Sequence, residues 1–574
     1  MKKLLLQKVF YGMIPLSPIF LTSAFINNWN TENSDSPNNP NSELLYKNVS
    51  HVYDEALKPI GVLGFKKWLL ENNGGSYKRV KVGIIDNEHV DFGQIIQPKN
   101  SNLKYKTFSG TNEDFSERTE HSTKVASFIG GVSGINPYAE LYSFGKTKDM
   151  DDLIKKLNWA VQEGVKVINI SMGPDLSFLK DILNWIDEFK KDENTEHLIK
   201  IYQHLSTNWW PYSSKMGSII DEYSYKYGII FVGASGNEYD EYEQIFEKIR
   251  ELHKIHPENN LLEKIYNLFL SSKAFLPTYK NTSFNMISVG AITPHFQLNS
   301  IINMPTHFKF TPDFNFISAI NGFNITWKNK ELEKPDIYKR NPIGTSFTSP
   351  IITGLISLLI STYHSKVDWE IDTSDIKSIF ALNSVYAKNY TGVSKIFTDE
   401  MDKYNRGGKK RLTGYGMPNW VKIRKFFENK NKKNKWSSID FEENYYGDNL
   451  QTKVLKDFID IQPQSRYRLA LSWMQSGWNP KYYFSDFGSQ TPEQLEWFFK
   501  LSSDYSLDLK GQNISRWADI PFGNHEFIHQ INTSDTNIKY DLYIGYKKDT
   551  QDFKSIGSKN INKRKLKLYY KEGD

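Results

Sequence analysis

Three short segments, far apart in the chain and in a fixed order, constrain this sequence more than anything else in it. Asp86 ends the mostly apolar run Val80 to Ile85, His121 opens His121-Ser-Thr-Lys-Val-Ala-Ser, and Ser346 sits in Gly344-Thr-Ser346-Phe-Thr-Ser-Pro350. A carboxylate, an imidazole and a hydroxyl are the parts of an activated serine. Such triads occur in three unrelated chain orders, each on its own fold. Acid, then histidine, then serine admits one of the three.

The local patterns agree with that chemistry. An apolar run of this length predicts a strand buried on both faces, so Asp86 emerges at a carboxyl end, where open α/β sheets place their sites. His121 and Ser346 each precede apolar residues at helical spacing, Val125-Ala126-Phe128-Ile129 and Ile351-Ile352-Leu355-Leu358-Leu359, which sets both near helix N-termini. A serine there has an exposed hydroxyl and an amide without an intrahelical acceptor, able to face an oxyanion. Taken singly, the segments have plainer readings: a turn after a strand, a helix cap, an N-cap before Pro350. Their concurrence in one permitted order favours the chemistry.

Two more segments bear on a pocket. The strand-like run Tyr227 to Val232 leads into Gly233-Ala234-Ser235-Gly236-Asn237-Glu238, and Val165 to Ile170 leads into Ser171-Met172-Gly173. Glycine-rich strand ends can line a slot closely with backbone groups. The Asn237 side-chain N–H is a candidate oxyanion donor, and a turn asparagine after Gly236 is an equal reading of the same residue.

Together with Ile287-Ser-Val-Gly-Ala291 and Gly414-Tyr-Gly-Met-Pro-Asn419, these segments resemble the subtilisin-like serine peptidases (subtilases) over residues 79–425. The resemblance implies Asp86 as orienting acid, His121 as general base, Ser346 as nucleophile and Asn237 as oxyanion donor. It further implies that Ser171, Met172 and Gly173 on one side and Gly233, Ala234, Ser235 and Gly236 on the other flank the pocket for the residue before the scissile bond. Two departures stand out. Ser122 follows the histidine where the family has Gly, and Phe347-Thr348 follow the serine where it has Met-Ala.

Composition narrows the class without deciding it. With 574 residues, 39% hydrophobic and 14% aromatic, the chain can bury more than one core. A net charge of +6, from 72 basic and 66 acidic side chains, is too slight to imply nucleic acid. The basic excess concentrates in Lys409 to Lys435 and Lys554 to Lys571, read as a solvated linker and an alternating last strand. No cysteine is present, which removes disulfides and thiolate metal sites. No cofactor is required by the chemistry, and no calcium loop is defined by the sequence. Protein or peptide substrates and a monomer are expected.

The N-terminus reads as a targeting segment. Met1-Lys-Lys and Lys8 precede the largely apolar run Val9 to Ile26, giving a signal peptide or membrane anchor at 1–26, and hence a cell-surface or secreted protein. The Asn-, Ser- and Pro-rich stretch 27–42 is a disordered spacer. Only residues 43–78 then remain before the first sheet strand, too few for a folded inhibitory propeptide, and Gly61 to Leu70 is expected to form a short helix. The catalytic domain is set at 43–430.

Two inserts, 174–226 and 239–280, carry helical spacing in Leu176, Leu179, Leu183, Ile186 and in Ile245, Ile249, Leu252. Following the pocket segments directly, they are expected beside the pocket. From 436 to 574 the texture changes to short alternating runs, such as Tyr467-Arg-Leu-Ala-Leu-Ser-Trp473 and Tyr540-Asp-Leu-Tyr-Ile-Gly-Tyr546, which predict an antiparallel sandwich. Leu471 to Trp473, Leu507 to Leu509 and Asn524-His-Glu526 resemble the β-sandwich that follows the catalytic domain in several subtilases. The expected fold is thus α/β, a doubly wound parallel sheet of subtilisin type with helical insertions, followed by an all-β sandwich domain. The expected activity is a surface or secreted serine endopeptidase. The other reading is an inactive scaffold of the same fold that serves as a surface binding protein or adhesin.

Overall fold

A computed structural model of the chain describes residues 60–72, 77–98, 101–108, 120–172, 177–208, 215–236, 239–270, 283–297, 300–304, 317–320, 325–328, 335–338, 344–385, 389–390, 415–428, 434–443, 451–474, 504–511, 514–518, 525–533, 535–547 and 562–573. The N-terminal segment 1–26 and the spacer 27–42 lie outside them, as do Gly173 and Asn237.

Among the described residues, the first helix is α1 (Leu63–Glu71), and strands and helices then follow: β1 (Lys81–Ile85), β2 (Tyr105–Thr107), α2 (Glu120–Ile129), β3 (Glu140–Gly145), α3 (Met150–Glu163) and β4 (Val167–Ile170). It continues through α4 (Ser177–Asp192), α5 (Thr195–Asn208), α6 (Lys215–Tyr227), β5 (Ile230–Ala234), α7 (Tyr239–Ile255), α8 (Asn260–Leu270) and β6 (Met286–Gln297). The strands pair in parallel in the order β2-β3-β1-β4-β5-β6. The chain leaves β1 first to one side and then, at β4, to the other, so the switch point of the sheet lies at the carboxyl end of β1.

Both faces of this sheet are covered, as its unbroken apolar strands require. Val82, Ile84, Val167, Ile230 and Val232 meet α2 and the long helix α9 (Thr345–Tyr363), while Ile85, Ile168, Ile170 and Phe231 meet α3 and α6. Consecutive residues of one strand thus enter opposite cores. This is the doubly wound α/β architecture expected from the sequence.

The two stretches read as inserts, 174–226 and 239–280, are helical where they are described. Helix α6 belongs to the crossover into β5, since Ile219, Ile220 and Tyr223 pack on the sheet. What remains, α4 and α5 from the first stretch and α7 and α8 from the second, associates into one four-helix assembly. Leu179, Ile182, Ile186, Leu198, Ile201, Ile245, Ile249, Leu262 and Ile265 are buried there. Lys248 pairs with Asp187 at 2.6 Å and Lys190 with Glu251 at 3.3 Å across the junction of the two stretches.

Among the described residues, α9 is followed by α10 (Thr373–Asn383) and α11 (Trp420–Glu428), and then by eight antiparallel strands. They form two four-stranded sheets. The first contains Lys435–Glu443, Asn562–Glu572, Arg466–Trp473 and His525–Ile531 in that order, and the second Gln451–Ile461, Ile538–Lys547, Asp504–Gly511 and Ile514–Ala518. Residues from both sheets, among them Ile439, Leu469, Leu471, Ile461, Leu542 and Ile544, share one apolar cluster.

Helix α10 joins the two parts. It starts at a reciprocal capping box between Asp372 and Asp375, and every one of its residues is buried. The first antiparallel sheet lies against it. Tyr569 Oη donates to Asp375 Oδ1 at 2.8 Å, Ser378 and Ser472 hydroxyls meet at 2.7 Å, Lys571 Nζ donates to Asn383 Oδ1 at 3.0 Å, and Arg468 donates to the Leu382 carbonyl at 2.7 Å. The Lys567 ammonium stands 4.1 Å from the Trp369 ring centroid.

That contact carries a pH dependence. Burial pushes the Asp375 carboxyl up to about 7, Asp372 beside it adding to the rise and Lys567 opposing it. Burial likewise pushes fully buried Asp221 up to about 7 against the hydrogen bonds that it accepts from Ser283, Asn285 and Phe284. A carboxyl with a raised folded pKa stabilises most below its unfolded value and loses that contribution as pH climbs through the folded one. Melting temperature is therefore expected to fall between about pH 4 and pH 7, each group contributing up to about 1.4 kcal/mol per pH unit. Asp375→Asn should reduce that slope to the share left by Asp221, whatever it does to the plateau. An unaltered slope in thermal melts across this range would contradict it.

Candidate active site

Asp86 follows the last residue of β1 at the switch point and is fully buried. Its Oδ1 accepts the backbone N–H of Asn87 at 2.7 Å, which holds the carboxylate facing the sheet's carboxyl edge. His121 stands in the first turn of α2, with Nδ1 3.0 Å from both Asp86 oxygens and Nε2 3.1 Å from Ser346 Oγ. The acid is sealed from water, the imidazole is 36% exposed and the serine 8%. Solvent and any ligand therefore reach the imidazole and hydroxyl and not the carboxylate.

Ser346 is the second residue of α9, two places after a glycine that the backbone requires. Gly344 has φ 141°, a region that side chains with a Cβ seldom adopt. At this position the Ser346 amide lies in the first turn, where no intrahelical acceptor exists. Farther along α9, a Cβ on Gly354 would come 2.7 Å from Ile135 Cβ and 3.2 Å from the Ile129 carbonyl oxygen. The bare glycine thus lets the helix of the serine lie close against the helix of the histidine.

Both departures from the family pattern find their place in packing. Phe347 is buried, with its ring centroid 5.0 Å from that of His121 and 6.1 Å from that of Phe128. It braces the imidazole from the side. Ser122 is fully buried and its hydroxyl donates to the His89 carbonyl at 2.8 Å, tying the start of α2 to the loop after β1. Neither alters the Asp86–His121–Ser346 arrangement.

The expected pocket residues converge on the same place in part. Ser171, just past β4, is buried and donates its hydroxyl to the Ser346 carbonyl oxygen at 2.8 Å, and Met172 beside it is partly buried. Gly233 and Ala234 end β5, next to β4, and the Ser235 N–H donates to the Val289 carbonyl at 3.0 Å. Gly236, at φ 113°, is clamped to the serine helix, because its N–H donates to Thr345 Oγ1 at 2.9 Å and its carbonyl accepts from the same hydroxyl at 3.1 Å. Thr345 is a residue whose role local sequence did not reveal. The signal for it, a hydroxyl between the required glycine and the serine, is visible only once the two strand ends are known to meet there.

The matching family model is that of the subtilase family, and it matches residues 78–416, more than half of the chain. No curated protein matches. Similar solved structures include the prenylagaramide maturation protease PagA, at 16% identity and a TM-score of 0.34, covering 62% of this chain and 96% of that one. The protease domain of PatA is 14% identical with a TM-score of 0.37, over 61% of this chain and 95% of its own. A lanthipeptide protease is 18% identical with a TM-score of 0.34, over 60% and 87% respectively. At those scores only the family match bears on what the chain does.

Proposed function

The chain belongs to the subtilase family, and from that premise we propose that it is a serine endopeptidase acting on protein substrates. The observation that carries this reading is the unbroken hydrogen-bond chain from the sealed Asp86 carboxylate through the His121 ring to Ser346 Oγ. Ser346 Oγ attacks the scissile carbonyl carbon while His121 Nε2 takes its proton. His121 then delivers that proton to the leaving amine, and water repeats the sequence on the acyl-enzyme. Asp86 holds the tautomer with hydrogen on Nδ1 and balances the imidazolium. The oxyanion is stabilised by the Ser346 amide and by the side chain of Asn237. The decisive test is labelling with a fluorophosphonate, which reacts with activated serines, followed by mapping of the labelled peptide. Label on Ser346 supports the peptidase. Its absence favours the scaffold that only binds.

In this proposal the segment 1–26 directs the protein to the cell surface or beyond it, and 436–574 corresponds to the β-sandwich that accompanies some subtilases. The α4, α5, α7 and α8 assembly restricts the substrates. Its two halves enter from Met172 and Gly236, past the ends of the neighbouring strands β4 and β5. Because they share a core, removing one half would expose the other. Deleting 177–208 and 239–270 together, each closed by a short Gly-Ser turn, is expected to leave chromogenic peptides cleavable and to widen the set of proteins cut. Identical cleavage profiles on a protein mixture before and after deletion would defeat the idea.

A further inference from the structure

Helix α9 is buried along nearly its whole length, and its apolar side chains rest on an apolar sheet face. Such burial holds a helix down without fixing where it stops, since it is non-directional. A slip of one residue moves a helix about 1.5 Å along its axis and turns it by about 100°. Either component would take Ser346 Oγ away from His121 Nε2. Directional contacts have to set the register.

Besides the Thr345–Gly236 clamp at the helix start and the bond from Asn136 Nδ2 to Ser357 Oγ at 3.0 Å, those that reach α9 from the middle of the sheet converge on one amide. Asn169, on β4, is fully buried on the face that also presents Val167, where a parallel strand ordinarily carries an aliphatic side chain. Its Oδ1 accepts from Ser349 Oγ at 2.7 Å and from Thr353 Oγ1 at 3.0 Å, two hydroxyls one turn apart on α9. Its Nδ2 donates to Ser171 Oγ at 2.8 Å, and Ser171 Oγ passes the link to the carbonyl oxygen of Ser346 itself. Two turns of the helix and the backbone of the serine thus answer to a single side chain. Its strand lies beside β1, which leads into Asp86, with Asn169 opposite Ile84.

We propose that Asn169 is a positioning residue for the nucleophile, setting the axial and rotational register of α9 so that Ser346 Oγ meets His121. This rests on the peptidase reading above. A buried asparagine that fixes the register of an otherwise apolar helix contact has precedent in coiled coils. The fold does not depend on it in the same way. Ser349 and Thr353 have helix carbonyls within reach as alternative acceptors, and Thr353 already lies 3.0 Å from the Ser349 carbonyl oxygen.

The test is Asn169→Leu in the full chain, with active sites titrated by a fluorophosphonate and peptide hydrolysis expressed per titrated site. A displacement near 1 Å predicts a kcat per site lower by about 10², with the rate of labelling reduced alongside. KM should stay within about threefold, since only an interaction needed in the transition state is lost. Far-UV circular dichroism should be retained. A residue that merely stabilised the fold would reduce the titrated fraction and leave kcat per site untouched, and that result overturns the proposal. Should the leucine variant fail to fold, the pair Ser349→Ala with Thr353→Val removes the same donors and decides by the same readout. A wild-type protein that takes no label defeats the peptidase reading, whereas a labelled wild type with unaltered variants defeats only this inference.

Discussion

Ser346→Ala is expected to lower kcat for peptide hydrolysis by about six orders of magnitude, the loss that follows removal of a triad nucleophile. The fold should be unaffected. The hydroxyl sits at a helix start that Gly344 and the Thr345–Gly236 clamp define without it. Its removal leaves only His121 Nε2 short of a partner, on a ring open enough for water to replace it. Steady-state kinetics on a fluorogenic peptide, with circular dichroism as the control, measures both halves of the expectation. Turnover above background in a purified, folded mutant would take the serine out of the reaction.

Asp86→Asn should rank second, at about 10⁴ in kcat. The carboxylate accepts from Nδ1–H of His121 at 3.0 Å and from the Asn87 amide at 2.7 Å. An asparagine can keep the second bond only by turning its NH2 toward Nδ1. The ring then adopts the other tautomer, with hydrogen on Nε2, and cannot take the proton of Ser346. Geometry survives and chemistry does not. A mutant within tenfold of wild type would mean that His121 is oriented by something other than Asp86.

The parts of this site that were legible in the sequence are those in which local pattern and chemistry coincide. The apolar run ending in Asp86 reads as a buried strand, and the spacing after His121 and Ser346 reads as helical. The structure shows β1, α2 and α9 at these places. What stayed hidden depends on partners far away in the chain. Asn169 reads locally as a polar interruption of Val-Ile-Asn-Ile, and nothing near it points to Ser349 or Thr353, 180 and 184 residues on. The two helical stretches each show an apolar face, but no periodicity reveals that each face is the other's cover. The alternation at Lys565 to Tyr569 predicts a last strand. The structure has this strand, with Leu566, Leu568 and Tyr570 entering the core shared by the two antiparallel sheets, while on its other face Lys565 is exposed and Lys567 and Lys571 are buried toward the α/β part. Long aliphatic stems let lysines lie across α10 with their ammonium groups on a ring and an amide.

The position of that strand has a consequence in time. Residues 562–572 lie inside their sheet, hydrogen-bonded on both edges, and they reach back 194 residues to Asp375 and 188 to Asn383. A chain emerging from the ribosome makes the parallel sheet, the serine helix and α10 long before it makes this strand. Throughout that interval α10 must present the Asp375 carboxyl and the Asn383 amide to water, and the first antiparallel sheet lacks an inner member. Closure of loops this long is slow compared with local helix formation. Completion of the first sheet and of its contact with α10 therefore waits for residues 562–572 and cannot occur on the preceding chain alone.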